Sequence, residues 1–560
     1  MTGTITGWIP VIIVLIALAG VYVPLGNYMA RVFTGPGQAG PGQSGSAHTG
    51  FEKLVYRLTG VNPDGQQKWT RYAASVLAFS TISLVFLYLL QRVQQWLPLN
   101  HGKEPVTWDQ AWNTAVSFTT NTNWQSYSGE VAMSILTQMA GLAVQNFVSA
   151  AVGITVAIAL IRGLANRLGN GEIGNFWVDL TRAVFRVLLP MAVIGAVLLI
   201  SQGAIQNFHA PTTVQTITGG QQTIPGGAVA SQEVIKELGT NGGGYFNANS
   251  AHPYENPNAW TNMLEIFLIL VIPVSLTRTF GKMIGDTRQG WAVLAAMAVL
   301  YFGSLAVVMS SETSLAAFQG GGMEGKEYRL GVLPSSFFAV TTTMTSTGAV
   351  DSFHSSYHPL AGGMLILDMM LGEISPGGVG TGLYGMLMIA LLSVFVAGLM
   401  VGRTPEYLGK RIGVSEITKV SLYILVMPAL VLAGVGVSAM LPSTRDAVSA
   451  SGPHGFSDLV YAYTSASNNN GSAFAGFGAD TPWFNITLGL CMLLGRFLPI
   501  IMALALAGDF ATQKPAAETA GTLPTHHPQF VGVMVGIAII VGALTFLPTL
   551  VLGPLTEALS

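Results

Sequence analysis

Apolar residues gather in windows of about 20, the length a helix needs to cross a bilayer core, and polar stretches separate them. Ten such windows stand out. They run from Trp8 to Met29, Trp69 to Gln91, Met133 to Ile161, Phe176 to Gln202 and Ala259 to Phe280. The rest run from Trp291 to Ser310, Pro359 to Val401, Ile417 to Leu441, Pro482 to Leu506 and Phe530 to Leu552. The pattern predicts an all-α membrane protein of ten transmembrane helices, with both chain ends on one side. The seventh window is broken by Gly372-Glu373-Ile374-Ser375-Pro376-Gly377-Gly378-Val379-Gly380-Thr381-Gly382. Unwound backbone at that depth is tolerated only beside protein or water.

Between paired windows lie four segments of bare backbone and small polar side chains: Asn121-Thr122-Asn123-Trp124, Thr240-Asn241-Gly242-Gly243-Gly244, Ser346-Thr347-Gly348-Ala349 and Asn469-Asn470-Gly471-Ser472. They recur at roughly 105–125 residues, too long for a solenoid and suited to a two-helix membrane repeat. A short amphipathic run precedes each: Trp108 to Thr120, Ser231 to Gly239, Pro334 to Thr345 and Phe456 to Ser467. A half-membrane helix there aims its C-terminal dipole end at the polar segment. One such segment reads as an ordinary turn. Four at matching places predict a ring of carbonyl oxygens around a central pore, the device that replaces the water shell of potassium.

The expected organisation is an extra N-terminal helix and inner linker (1–68), four helix–pore loop–helix repeats (69–161, 162–285, 286–411 with a broken gate helix, and 412–510), and an extra C-terminal helix (511–560). The Gly/Ser/Gln-rich stretch from Gly35 to Gly50 reads as a flexible linker.

Composition supports a membrane chain: 50% of residues are hydrophobic and 9% charged, against about 25% charged in a soluble domain. Seventeen of the 24 Lys and Arg fall in the links after odd-numbered spans and their flanking turns. Six (Arg92, Lys103, Lys236, Lys326, Arg329 and Arg445) fall in the opposite links, and Arg496 lies within a span. The positive-inside rule then places both termini and all four polar segments outside. A net charge of −2 without a basic tract gives no sign of nucleic acid, and the single cysteine, Cys491, excludes a disulfide framework. The nine histidines show no metal-ligand spacing.

The stretches TNTNWQSYSGE from Thr120, GTNGGGYFNANSAHPYENP from Gly239, MEGKEYR from Met323, GLMVGRTPEYLGK from Gly398, NNNGSAFAGF from Asn468 and GTLPTH from Gly521 closely resemble the KdpA family, the potassium-translocating subunits of bacterial Kdp P-type ATPases. The likeness spans the whole chain. It implies a non-catalytic subunit of a high-affinity, ATP-driven potassium uptake pump in the bacterial cytoplasmic membrane. Its partners would be a P-type catalytic subunit, a single-span accessory subunit and a small single-span peptide. The bound ion would be K+, and no nucleotide would bind this chain. In keeping with that, the sequence holds neither a Walker A lysine loop nor an Asp-Lys-Thr-Gly phosphorylation motif.

The resemblance places ion-coordinating backbone at Asn121, Thr122, Thr240, Asn241, Thr347, Asn469 and Asn470, filter glycines at Gly242, Gly348 and Gly471, and an affinity-setting glutamine at Gln125. Asn123 stands where the other loops carry glycine, so fourfold symmetry is not expected. The superfamily also has a gate loop in the third repeat. That puts Glu373, Gly377, Gly378 and Gly380 below the filter, with Arg496 flanking the same space; a packing kink and a structural ion pair are the competing readings. A passive, channel-like potassium transporter of the same superfamily is the alternative function. That class is expected to lack the end helices. A secondary transporter would need inverted repeats, whereas all four polar segments enter from one side.

Overall fold

The computed structural model describes residues 2–34, 46–314, 322–400, 402–516 and 523–559. Most of the expected linker from Gly35 to Gly50, and Gly521 with Thr522, lie outside the described residues. Among the described residues, ten helices are long and apolar enough to cross a membrane. In chain order the principal elements are α1 (Thr2–Phe33), α2 (Gly50–Thr59), α3 (Trp69–Val93), α4 (Trp108–Thr119), α5 (Thr137–Ala165), α6 (Phe176–Ser201), α7 (Val229–Leu238) and α8 (Ala259–Ile284). They continue as α9 (Thr287–Glu312), α10 (Val332–Met344), α11 (Pro359–Met370), α12 (Thr381–Met400), α13 (Val414–Met440), α14 (Gly452–Asn468), α15 (Pro482–Thr512) and α16 (Pro528–Leu550).

The apolar windows thus find their helices, with ends set by local chemistry. Asn258 caps α8 by accepting from the Trp260 and Thr261 amides, Asp286 caps α9, and Thr481 with Pro482 opens α15. The third window starts later than its hydrophobicity suggests, because Met133 is extended and the helix begins at Thr137 with a π-helical turn. Short α2 was not anticipated; a capping box between Thr49 and Glu52 starts it. An exposed hairpin, Thr212–Gln215 paired with Gln221–Ile224, stands out between α6 and α7.

Helices α4, α7, α10 and α14 are the four half-membrane elements expected before the polar segments. Each sits between two long helices: α3 and α5, α6 and α8, α9 and the broken α11/α12, α13 and α15. In every unit the second long helix is buried along more of its length than the first, 83% against 22% in the first unit and 50% against 22% in the fourth. The second helices therefore line the centre and the first helices face outward. Outside them, α1 runs along α8, where Thr279 Oγ1 donates to Gly26 O at 3.1 Å and Arg278 Nε to Asn27 Oδ1 at 3.1 Å. Helix α16 packs on α9 and α12.

At the end of the bundle opposite the polar segments, Arg162 of α5 binds Asp179 of α6 through two hydrogen bonds of 2.6 and 2.8 Å and donates to Phe33 O at 2.7 Å. The Tyr72 hydroxyl of α3 lies 3.1 Å from the same carboxylate. One ion pair so joins α1, α3, α5 and α6. Removing one partner of a buried pair leaves the other charge uncompensated, at a cost of about 3–5 kcal/mol. Asp179→Ala is expected to lower stability by about 3 kcal/mol, the low end of that range because Arg162 keeps some exposure. The Asp179→Ala/Arg162→Met double variant should recover part of the loss. Thermal unfolding in detergent checks both.

Candidate functional site

All four half-membrane helices end in the same way. The amides of Thr122, Asn241, Thr347 and Asn470 reach back five residues to the carbonyls of Ser117, Lys236, Thr342 and Ser465, at 2.9, 2.9, 3.2 and 2.9 Å. The residue before each is left-handed: Asn121 (φ 70°), Thr240 (48°), Ser346 (55°) and Asn469 (61°). Together these features form the Schellman helix end, which favours glycine or asparagine at the left-handed position. Thr240, being β-branched, is a genuine outlier there. The shared geometry sets the loops in register: 121, 240, 346 and 469 form one tier, 122, 241, 347 and 470 the next, and 123, 242, 348 and 471 the third. Asn123 (φ 57°) does the backbone work of the missing glycine, and its side chain turns away to Asn146.

The tiers meet at one point. A methyl group on Gly242 would lie 2.6 Å from Thr122 O, 2.8 Å from Asn470 O and 3.0 Å from Thr347 O. The space beside Gly242 is thus walled by main-chain oxygens from the other three units. Among the described residues, no donor reaches the carbonyl oxygens of Thr122, Asn241, Thr347 or Asn470, and all four residues are fully buried. Side chains in this tier alternate as Thr, Asn, Thr, Asn. The threonines pair with Thr120 and Thr345 at 2.8 and 2.6 Å, and Asn241 Nδ2 donates to Asn121 Oδ1 at 2.7 Å.

Neighbouring loops are bolted together. Gln125 Nε2 donates to Gly244 O at 3.2 Å and its Oε1 accepts from Gly244 N at 2.9 Å, so this glutamine fastens the first loop to the second. Asn469 Nδ2 donates to Thr122 Oγ1 at 2.9 Å, joining the fourth to the first. The Ser346 hydroxyl lies 3.0 Å from Asn469 O, joining third to fourth.

The break between α11 and α12 passes beneath this ring and touches all four units. Gly377 N donates to Met344 O at 3.0 Å, Val379 N to Thr240 Oγ1 at 2.8 Å, and Asn470 Nδ2 to Glu373 Oε1 at 2.7 Å. Val379 and Gly380 press against Gly153 of α5 so closely that neither glycine has room for a side chain, and Gly378 packs on Ser346. Glu373 and Arg496 line one cavity of about 100 Å³. Among the described residues no ion pair joins them; Arg496 Nη2 donates to Ser149 O at 3.3 Å. Asp368, on α11, accepts from Ser304 and Thr343 at 2.7 and 3.1 Å.

Ser346, which opens the third polar segment in a threonine-rich run, takes the left-handed place held by Asn121, Thr240 and Asn469 in the others. One part of the site escapes sequence reading: Lys236, read as a charge in an outer link, is buried in α7. Its ammonium lies 2.6 Å from Glu233, 3.2 Å from Glu255 and 3.4 Å from Glu237, and donates to Asn249 and Ser250 at 3.0 Å. It clamps the chain after the second loop onto the half-membrane helix before it. The Glu233-x-x-Lys236-Glu237 spacing is the only trace of this in the sequence. Lys236→Met is expected to cost about 3–5 kcal/mol by stranding the carboxylates, with partial recovery in Lys236→Met/Glu237→Gln, both read as shifts in thermal unfolding.

Comparison with known proteins agrees on this architecture. The family model described as "Potassium-transporting ATPase A subunit" (KdpA) matches residues 12–559. The chain is 58% identical to the potassium-transporting ATPase potassium-binding subunit of Streptomyces coelicolor, over 100% of both chains. It is 56% identical to the subunit of the same name from Kineococcus radiotolerans, over 98% of this chain and 97% of that one, and 56% identical to that from Mycobacterium avium, over 100% of both. Among solved structures, the potassium transporter TrkH from Vibrio parahaemolyticus shares the fold with a TM-score of 0.50 at 13% identity, covering 75% of this chain and 83% of that one.

Proposed function

Because the chain belongs to the family of potassium-transporting ATPase A subunits, we propose that it is the potassium-binding subunit of a multisubunit potassium-transporting ATPase, with the ion held in the four-loop ring. The observation that carries this reading is the tier of four buried residues whose carbonyl oxygens meet no donor among the described residues, those of Thr122, Thr347 and Asn470 converging beside Gly242. A potassium ion surrounded by such oxygens exchanges its water shell for main-chain dipoles. The half-membrane helices add the partial negative charge of their C-terminal ends. Asn121, Thr122, Thr240, Asn241, Thr347, Asn469 and Asn470, joined by Ser346, supply the lining. Gly242, Gly348 and Gly471 keep it free of side chains, and Gln125 fixes the spacing of two loops.

The loop carrying Glu373, Gly377, Gly378 and Gly380 is the gate below the filter, and the cavity shared by Glu373 and Arg496 receives the ion. Energy comes from a separate P-type subunit, assisted by a single-span accessory subunit and a small single-span peptide. The chain sits in the bacterial cytoplasmic membrane with its loops and termini outside. The buried Lys236 and Lys326, the latter 2.8 Å from Glu312, support this orientation: two of the six outer cations are internal ion-pair partners, which deepens the charge asymmetry.

The test is potassium-stimulated, vanadate-sensitive ATP hydrolysis by the complex purified through a tag on this chain. Gly242→Ala should raise the half-saturating potassium concentration at least about tenfold, equivalent to about 1.4 kcal/mol, and Gly242→Asp further. Purification without an ATPase partner, together with passive flux in liposomes, would favour the channel-like alternative. Orientation is tested by cysteine labelling, since the native Cys491 is buried. A membrane-impermeant maleimide on intact cells should label Thr218→Cys in the exposed hairpin turn and spare Leu168→Cys at the opposite end.

A further inference from the structure

Asn470 works with two different ends. Its carbonyl belongs to the ring, while its side-chain amide reaches down to the gate loop. Oδ1 accepts from Ser472 N at 3.1 Å and from Ser472 Oγ at 2.5 Å; Nδ2 donates to Thr342 O at 3.0 Å and to Glu373 Oε1 at 2.7 Å. Every hydrogen-bonding position of the amide is used, so its orientation is forced. Turned over, its oxygen would face the Thr342 carbonyl and the Glu373 carboxyl. The Ser472 hydroxyl lies 2.8 Å from the Tyr461 hydroxyl, which lies 2.7 Å from His354 Nδ1. All of these side chains are buried. At the outer end, burial and the Lys326 ammonium push the His354 imidazole down to about 3, so this end of the network stays neutral across the physiological range.

The matching side chains of the other units stay within the ring: Thr122 and Thr347 bond their neighbouring threonines, and Asn241 bonds Asn121. In this tier, among the described residues, only Asn470 reaches the gate. Glu373 takes the Asn470 amide on Oε1; its Oε2 has no hydrogen-bond partner among the described residues, and the residue lines the cavity below the filter.

We propose that the Asn470 amide, oriented by Ser472 and Tyr461, is a latch that holds the gate loop under the filter through Glu373. The proposal rests on the reading of the ring as a potassium filter. An ion that enters or leaves the ring turns the Asn470 carbonyl, and the side chain carries that change to Glu373. Ion occupancy then biases the gate by the difference in ion affinity between latched and unlatched states. Asn470 acts here as a positioning residue in addition to lining the filter, and Tyr461 and Ser472 are positioning residues only.

The experiment uses the assembled complex in liposomes and measures rubidium efflux without ATP beside the potassium dependence of ATP hydrolysis. Glu373→Ala removes the acceptor and should raise passive efflux about two- to tenfold, the range given by loss of one hydrogen bond. Glu373→Gln keeps an acceptor oxygen and should leak less than Glu373→Ala. Ser472→Ala and Tyr461→Phe only loosen the amide and should raise efflux about two- to fivefold, as for a neutral hydrogen bond, with the half-saturating potassium concentration unchanged. Efflux at wild-type levels in Glu373→Ala, Ser472→Ala and Tyr461→Phe overturns the latch. So does equal leakage from Glu373→Gln and Glu373→Ala, which would show that the acceptor oxygen does not hold the loop. A rise in half-saturation in step with the leak would make the network a filter support instead. Failure of the wild-type complex to hydrolyse ATP in response to potassium would overturn the functional reading itself, a separate result.

Discussion

The main-chain carbonyl oxygens of Thr122, Thr347 and Asn470 converge beside Gly242, and neither they nor Asn241 O of the same tier meets a hydrogen-bond donor among the described residues. A buried amide group left unpaired costs about 1–3 kcal/mol by mutational measures, and lipid offers no water to relieve it. The converging dipoles also point negative ends into a common space. Left alone, such loops would turn their carbonyls outward or refold into helix. The surrounding architecture prevents that, and on the proposed reading a cation supplies what the carbonyls lack. Each half-membrane helix ends in a Schellman turn that fixes the direction of its last carbonyls. The strain of left-handed Thr240 and Ser346 is held by packing on every side.

The repeats are alike in backbone and unlike in side chain. Threonine alternates with asparagine around the carbonyl tier, so the ring is closer to twofold than fourfold. The asymmetry has a use. The break in the third unit's second helix passes under the ring and needs partners from other units. Thr240 and Asn470 provide them, each from a loop next to the third. A fourfold ring would offer the broken segment four identical surfaces and no preferred resting position.

Charge is used in two ways. Arg162 with Asp179, and Lys236 with its carboxylates, are satisfied clusters that hold helices and loops in place, one at each end of the bundle. Arg496 and Glu373 differ. Neither has an ion-pair partner among the described residues, and both line the cavity beneath the ring. Such exposure of unpaired ionisable groups to an internal space is the usual mark of an ion path in a membrane protein. Satisfied charges near the ring hold its loops in place, and on the proposed reading the unpaired ones are those that meet the ion.

Much of this was legible in the chain itself. Hydrophobic period and length determined the ten spans, because a spanning helix must satisfy its own backbone and reach across the bilayer; the short amphipathic runs before the polar segments marked the four half-membrane helices. The Gly, Asn and Thr content of the four loops marked the ring, because only small side chains leave carbonyls accessible. Proline and repeated glycine marked the break in the seventh span. Register in the third loop was read as Ser346-Thr347-Gly348 from a threonine-rich run that marks it weakly, and the five-residue hydrogen bond to Thr342 aligns it with the other loops. The role of Lys236 was not legible, since the sequence cannot say whether a lysine in a link faces water or three carboxylates. The contact between Asn470 and Glu373, 97 residues apart, exists only because the fourth loop and the gate loop are brought to one axis. Local pattern fixes which groups are available, and tertiary packing alone chooses which of them meet.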